Sequence, residues 1–515
     1  MFYKKLKWIR VVVSLIFFTA ILLLYIDIYD AIPTWFHSSA IYLQFFPSLV
    51  KFITHPLTII SGFIFILLLT FLFGRVYCSG ICPLGVFMDI IARLAGKFKK
   101  RNKYQYKKPT HYLRYIILLI TLVFLITDSM LFINLLDPYS IFGRIANNLL
   151  NPGAIYFNNL LTSIFESFDI YSFYYIDISP IAMTITLISL AYLLIIIVFA
   201  AFFGRQYCNL ICPVGSFLSL ISKYSVFKIE YDIEECTQCG ACEKVCKSNC
   251  INSEDMHLDF SRCVSCFNCF TVCPTNGFHY ESVIKSKSQK KEVVLEKREF
   301  IKTTAFAVAG LAGINSCSYR LTEAEAESMN ISKNPVIPPG AFSIENFTKN
   351  CTACYLCVSA CPTNVIKPAL LDFGIYGIFQ PKMDFKSGFC NYDCVKCTEI
   401  CPSGAILLLS TEEKKLTQTG KAKFIKKDCI IETKKKECGA CAEHCPTKAV
   451  HMIPYEKITI PEVDEKICIG CGACEFACPT IPRKAIYVES NIIHQKVKAP
   501  KVKKPEVIET DDFPF

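Results

Sequence analysis

The first 225 residues alternate long uncharged apolar runs with short polar connections; beyond them the pattern breaks into short turns punctuated by cysteine. Four runs stand out: Val11–Ile26, extendable into Tyr29; Leu57–Phe73; Tyr115–Leu136, interrupted only by Asp128; and Ile178–Phe203, which carries no charge. A helix crosses a bilayer with about 20 apolar residues, and shorter cores are helped by snorkelling flanks. Buried helices of soluble proteins are rarely this long and this apolar. The pattern predicts a membrane α-helical bundle of four transmembrane helices over residues 1–225.

Basic residues give the expected orientation. The chain begins MFYKKLKWIR, with no acid before the first run, and Arg93–Arg114 holds nine Lys/Arg and no Asp/Glu. The connections 30–56 and 137–177 are nearly neutral and acidic, so the N-terminus and the 93–114 loop are expected in the cytoplasm, the protein being multi-pass in the inner membrane. No small-residue cleavage site follows the first run, which argues against a removed signal peptide.

Composition sharpens this picture. Of 515 residues 52% are hydrophobic and 19% charged, with 41 Phe and 2 Trp, and mean hydropathy is +0.37. That excludes a disordered chain and an ordinary soluble enzyme. Thirty cysteines exclude a routine cytosolic catalyst, and the length and apolar runs exclude a small secreted disulfide scaffold.

A repeat closes the second and fourth runs. Phe73-Gly74-Arg75-Val76-Tyr77-Cys78-Ser79-Gly80-Ile81-Cys82-Pro83-Leu84-Gly85 matches Phe203-Gly204-Arg205-Gln206-Tyr207-Cys208-Asn209-Leu210-Ile211-Cys212-Pro213-Val214-Gly215. Equivalent placement lets Cys78, Cys82, Cys208 and Cys212 approach one another, as packing cysteines or as a redox or cluster site.

Residues 236–273 carry C-x2-C-x2-C-x3-C twice: Cys236, Cys239, Cys242, Cys246, then Cys263, Cys266, Cys269, Cys273. Three cysteines of such a run wrap one cubane and the fourth ligates the neighbouring one. The expected sets are Cys236, Cys239, Cys242, Cys273 and Cys263, Cys266, Cys269, Cys246. A zinc site favours two separated C-x2-C pairs instead. Lys247 replaces the usual proline, and Cys250 reads as a bystander. Four more motifs follow: Cys351, Cys354, Cys357, Cys361; Cys390, Cys394, Cys397, Cys401; Cys429, Cys438, Cys441, Cys445; and Cys468, Cys471, Cys474, Cys478. Together these predict α+β ferredoxin-like domains with six 4Fe–4S clusters, and a seventh if the repeat cysteines bind one. Six thiolate-bound clusters carry about −12, close to cancelling the formal +11, so no nucleic-acid partner is implied. No phosphate loop, nucleophile elbow, zinc set or haem-attachment C-x-x-C-H is present.

Between the halves, Lys297-Arg298-Glu299-Phe300-Ile301-Lys302 precedes a mildly apolar run, Thr303–Ile314. It resembles a twin-arginine export signal with Lys297 for the first arginine, or else a linker helix or fifth span. Export of a folded, loaded domain would spare its thiols from oxidation. The expected organisation is a transmembrane domain (1–225), a two-cluster ferredoxin (226–284), the signal-like joint (285–316), a linker (317–345) containing the lone Cys317, a four-cluster domain (346–492) and a disordered Lys/Pro-rich tail (493–515).

The paired G-R-x-Y-C-x3-C-P-x-G segments with four spans and a two-cluster ferredoxin resemble NapH-like membrane ferredoxin-type proteins, the group that includes NosR and MauN. The second half, with Pro338-Pro339-Gly340-Ala341 before four cubane motifs, resembles NapG-like proteins. The resemblance implies a NapH–NapG fusion that oxidises quinol, drawing on the quinone pool, and passes electrons to a periplasmic reductase or cytochrome. It also implies that the first of the four later motifs pairs with the last and the second with the third. The implied sets are Cys351, Cys354, Cys357, Cys478; Cys468, Cys471, Cys474, Cys361; Cys390, Cys394, Cys397, Cys445; and Cys429, Cys438, Cys441, Cys401. On this view the first ferredoxin is cytoplasmic, the four-cluster domain periplasmic, and the chain a candidate quinol dehydrogenase. An accessory factor supplying electrons for maturing or reactivating a metalloenzyme is the alternative, and a cytoplasmic relay fed by soluble ferredoxin a third. By position, His37, His55 and Asp128 are candidates for taking quinol protons.

Overall fold

The computed structural model describes residues 2–54, 62–98, 104–108, 111–178, 182–232, 235–275, 277–282, 334–455 and 458–498. The export-like joint, Cys317, His55 and the end of the Lys/Pro-rich tail lie outside the described residues. The first part is helical: α1 (Phe2–Ile26), α2 (Thr34–Ile41), α3 (Phe45–Thr54), α4 (Gly62–Phe73), α5 (Val76–Gly80), α6 (Pro83–Phe98), α7 (His111–Ile126), α8 (Leu131–Leu136), α9 (Pro138–Ile145), α10 (Asn151–Glu166), α11 (Met183–Val198) and α12 (Pro213–Ser222). Single π-helical turns occupy Ala146–Leu150, Phe199–Phe203 and Tyr207–Ile211.

Among the described residues two helical runs are long and apolar enough to cross a membrane, Lys5–Ile26 and Met183–Phe203, with mean hydropathies of 2.5 and 2.8. Only 28% and 22% of their apolar windows are buried. Ile9, Val12, Leu15, Ile16 and Leu23 of α1 and Leu187, Leu190 and Leu194 of α11 face outward, as do Leu113, Ile116 and Leu119 of α7. The expected third span is shorter than the pattern predicts. The second is described from Gly62 onward. The third does not run unbroken to Leu136: Asp128 adopts φ 57°, Ser129 N–H donates to the Phe124 carbonyl at 2.9 Å, and the helix ends there. A left-handed residue with this six-to-one bond is a helix stop. Pro138 then opens α9, whose first turn is capped by Asp137 accepting from Ser140 N–H at 2.9 Å.

The first ferredoxin-like module comprises β1 (Phe227–Tyr231), the hairpin β2 (Ile251–Asn252) and β3 (His257–Leu258), and β4 (Phe278–Ser282). β1 and β4 pair antiparallel, Ile229 opposite Tyr280, and enclose both of its cysteine motifs. The second half adds β5 (Ile366–Lys367) with β6 (Lys382–Met383), β7 (Thr417–Phe424) with β10 (Ile486–Lys496), and β8 (Val450–Tyr455) with β9 (Ile458–Val463). Gly340, at φ 87°, accepts from Leu407 N–H at 3.0 Å, which closes the first and second of the later motifs into one unit.

The modules dock at opposite ends of α1. At its start, Lys7 Nζ donates to Thr271 Oγ1 at 3.3 Å in the first module. At its end, Tyr25 Oη donates to the Cys354 carbonyl at 2.9 Å in the second half. At 1.5 Å per residue these contacts lie on the order of 27 Å apart along the helix. The bundle core runs continuously from Phe18 and Ile21 to Cys354, Leu356 and Ile400. Asp128, at the same end, pairs with Lys349 at 3.1 Å.

Candidate iron-sulfur centres

Backbone curvature brings the cysteines together. In each of the four C-x2-C-x2-C loops, the residues two and four places after the first cysteine have positive φ: Gln238 (53°) and Gly240 (66°), Ser265 (50°) and Phe267 (57°), Ala353 (51°) and Tyr355 (63°), Gly470 (74°) and Gly472 (79°). Five of these eight are not glycine, and such conformations are costly for L-residues. Alternating left-handed residues turn successive N–H groups inward, forming a concavity suited to an anion. Gln238 N–H points at Cys236 Sγ at 3.3 Å and Ser265 N–H at Cys263 Sγ at 3.4 Å.

Cys236, Cys239, Cys242 and Cys273 line one cavity capped by Tyr231, whose hydroxyl lies 3.0 Å from Cys236 Sγ. Cys246 joins Cys263, Cys266 and Cys269, all within electrostatic reach of one another. Cys250 is not a bystander. Its buried thiol lies 3.5 Å from Cys246 Sγ; their hydrogen bond holds Cys246 below, and Cys250 well above, the usual thiol range.

In the second half the structure corrects the pairing implied by the resemblance. Cys478 lines a cavity with Cys429, Cys438 and Cys441, not with Cys351. Cys361 lines one with Cys390, Cys394 and Cys397, not with Cys468. Cys401 faces Cys351, Cys354 and Cys357. Cys445 faces Cys468, Cys471 and Cys474. The physical reason is local closure. β7 and β10 bracket the third and fourth motifs as β1 and β4 bracket the first module, so each fourth cysteine meets the motif folded beside it. Burial pushes the Cys354, Cys441 and Cys471 thiols up to about 12, so iron must displace protons to bind there.

The four sites form a row. Cys357 lies within electrostatic reach of Cys397, Cys390 N–H donates to the Cys471 carbonyl at 2.9 Å, and Cys474 neighbours Cys441. The row runs from the end of α1 out to Cys438.

The repeat cysteines Cys78, Cys82, Cys208 and Cys212 are buried together in the bundle core. Two fully buried arginines cross between the copies. Arg75 donates to the Cys208 carbonyl at 3.1 Å and approaches Cys78 Sγ at 3.8 Å. Arg205 donates to the Cys78 carbonyl at 2.8 Å and approaches Cys208 Sγ at 3.9 Å. Asp89 pairs with Arg205 at 3.0 Å, Arg10 at 3.1 Å and Lys247 at 3.2 Å. Lys247, which stands where a proline usually does, thereby ties the first module to the bundle. Gly85 and Gly215 leave room for the crossing, since a Cβ on Gly215 would meet Arg75 at 2.8 Å and one on Gly85 would meet Arg205 at 2.5 Å. The arginines stand in the repeat, but only the fold reveals their exchange.

Of the proton-accepting candidates, His37 is buried and lines a cavity at the end of α1. Asp128 is engaged in its surface ion pair with Lys349.

A 4Fe-4S binding domain family matches residues 55–101 and 185–231, the two repeat copies. Two 4Fe-4S dicluster domain families match residues 350–406 and 434–481. The chain carries 4Fe–4S ferredoxin domains. It is 27% identical to the ferredoxin-type protein NapF of Escherichia coli over 159 residues, 31% of this chain and 88% of NapF. It is 32% identical to the methylamine utilization ferredoxin-type protein MauM of Methylobacillus flagellatus over 149 residues, 27% of this chain and 62% of MauM. It is 26% identical to the ferredoxin-type protein NapG of Escherichia coli over 194 residues, 35% of this chain and 80% of NapG. No solved structure matches the chain. These relatives make it an iron–sulfur electron-transfer protein at the level of ferredoxin type.

Proposed function

We propose that this chain is a membrane-embedded relay that takes electrons from quinol and passes them along 4Fe–4S clusters to a reductase on the periplasmic side. The cysteine sets gathered in the first module would hold two clusters and those in the second half four. The observation that carries this reading is the docking of the two modules at opposite ends of α1, Lys7 to Thr271 and Tyr25 to Cys354. The separation, about 27 Å, approaches the roughly 30 Å of a bilayer core. The outward-facing apolar side chains of α1, α7 and α11 fit lipid contact.

The repeat cysteines fit a seventh cluster on charge grounds. Arg75 and Arg205 both face these thiols, and Arg205 shares the carboxylate of Asp89 with Arg10 and Lys247. Buried uncompensated cations are costly, and a cubane held by four thiolates carries roughly −2. Tyr77, Tyr207 and Asp137 then lie between this site and Cys354.

EPR of the anaerobically purified protein in lipid, before and after menaquinol, tests the reading. Quinol-generated reduced-cubane signals that dithionite increases are expected. Reduction by dithionite alone would place electron entry at another protein and favour the maturation role.

A further inference from the structure

We propose that the cavity at the outer end of α1 is the quinol site, and that Cys361 is the contact through which electrons leave it. The inference rests on the quinol reading above and assigns it a place. The cavity holds about 330 Å³, within the range of small-molecule sites. It lies where α1, α2 and α10 meet the second half of the chain. Leu24, Ile28, Ile155 and Ile178 supply an apolar wall beside the lipid-facing Tyr156 and Phe157 of α10, a route for an isoprenoid tail. The opposite wall is polar.

Two features set this cavity apart. Cys361 and Pro362 line both it and the neighbouring cavity formed with Cys390, Cys394 and Cys397. A residue that would ligate that cluster therefore forms part of the wall of both cavities, which puts a head group bound here next to the cluster site. The second feature is His37. It is 5% exposed, it lines the cavity, and its Nδ1 has no hydrogen-bond partner among the described residues. A buried unpaired ring nitrogen is costly, and a quinol hydroxyl would satisfy it. Two of the carboxylates around it, Asp27 and Asp30, are otherwise engaged, while Glu399 also faces it. Asp27 accepts from Ala31 and Ile32 N–H at 3.0 and 2.9 Å, and Asp30 pairs with Lys396 at 2.8 Å. The Asp30–Lys396 pair also fixes this turn against the helix that carries Cys397.

The chemistry balances as quinol giving quinone, two electrons and two protons. A cluster held by Cys361, Cys390, Cys394 and Cys397 would accept the electrons one at a time. One proton goes to His37 Nδ1. The other leaves to water past the exposed carboxylate of Asp177 on the rim.

The test is photolabelling of the full-length protein in lipid nanodiscs with a short-tailed azidonaphthoquinone, mapped by mass spectrometry, beside EPR of the same samples. Label is expected in the peptides bearing Asp27–His37 and Ile155. Ile155→Trp, which fills the cavity, and His37→Phe should each cut labelling at least tenfold and abolish quinol-driven cluster reduction. Unchanged dithionite-reduced spectra in both variants will show that they fold and load. Label at another place, with quinol still reducing the clusters, overturns the site while the quinol reading stands. Absence of both specific labelling and quinol reduction in the wild type overturns both.

Discussion

The guanidinium of Arg205 donates to the carbonyl oxygen of Cys78 at 2.8 Å. Arg75 mirrors it at the Cys208 carbonyl, so each repeat copy is held by the other's arginine. Both arginines also face thiols. If their charge serves an anionic cluster, Arg75→Gln should lose about four irons per chain while the ferredoxin modules keep theirs. Arg75→Lys should retain part of that iron but lose the fork geometry. Breaking a buried charged contact also costs about 3–5 kcal/mol of stability. Iron analysis against protein, with melting temperature alongside, separates the two effects. Full iron in a folded Arg75→Gln variant would reduce the crossing to packing.

The cluster pairing in the second half can be read by non-additivity. Residues that share one site fail together, and independent sites add. With Cys478 beside Cys438, the double variant Cys478→Ser/Cys438→Ser should lose one cluster, no more than the worse single variant. Cys478→Ser/Cys354→Ser should lose two. Mössbauer or EPR spin counting distinguishes these outcomes, and the opposite pattern would restore a Cys351–Cys478 set.

The Cys250 thiol lies 3.5 Å from Cys246 Sγ, within hydrogen-bond reach of a residue that would ligate a cluster. A hydrogen bond to a cluster ligand stabilises the more negative, reduced state and raises the potential. Cys250→Ala removes the 3.5 Å contact to Cys246 and should lower that cluster's midpoint by on the order of 30 mV, where 59 mV is a tenfold change for one electron. Redox titration followed by EPR measures it. An unmoved potential with intact iron would return Cys250 to a packing role.

The cysteine sets were legible because cubane spacing is a covalent-scale constraint, and Cys236 through Cys273 needed nothing more. In the second half the partner of each fourth cysteine was not legible, because pairing depends on which strands close around which motifs. β7 and β10, flanking Cys429 and Cys478, decide it, and neither shows a strong period-two pattern: Thr417–Phe424 reads TQTGKAKF. Apolar runs located the helices but not their ends. Asp128 looked like an intramembrane acid within a span, yet it is a left-handed helix stop whose charge meets Lys349, 221 positions later. Likewise the positive φ of Gln238, Ser265, Ala353 and Tyr355 leaves no trace in residue type.

Gly340 shows where one glycine in the Pro338-Pro339-Gly340-Ala341 segment is required. Its φ is 87°, and a Cβ there would lie 2.5 Å from the Leu407 carbonyl oxygen. Gly340→Ala should destabilise the second half by roughly 1–3 kcal/mol. The expected signature is a lower melting temperature with early loss of the cluster at Cys401, while the cluster at Cys236 persists. Equal loss at both would mean that the two halves unfold as one unit.

The opposite-end docking on α1 makes a sidedness prediction. Lys244 is exposed on the first module, and Lys435 and Lys436 are exposed near Cys438 at the far end of the cluster row. If lipid surrounds α1 and α11, a membrane-impermeant amine reagent applied to intact spheroplasts should modify Lys435 and Lys436 but spare Lys244. After lysis all three should react. A twin-arginine-deficient strain should protect Lys435 as well, because a folded, cluster-loaded domain would then stay inside. Modification of Lys244 and Lys435 from the same side would contradict a bilayer between the modules, since a contact span of about 27 Å along α1 leaves no other way for both to be reached.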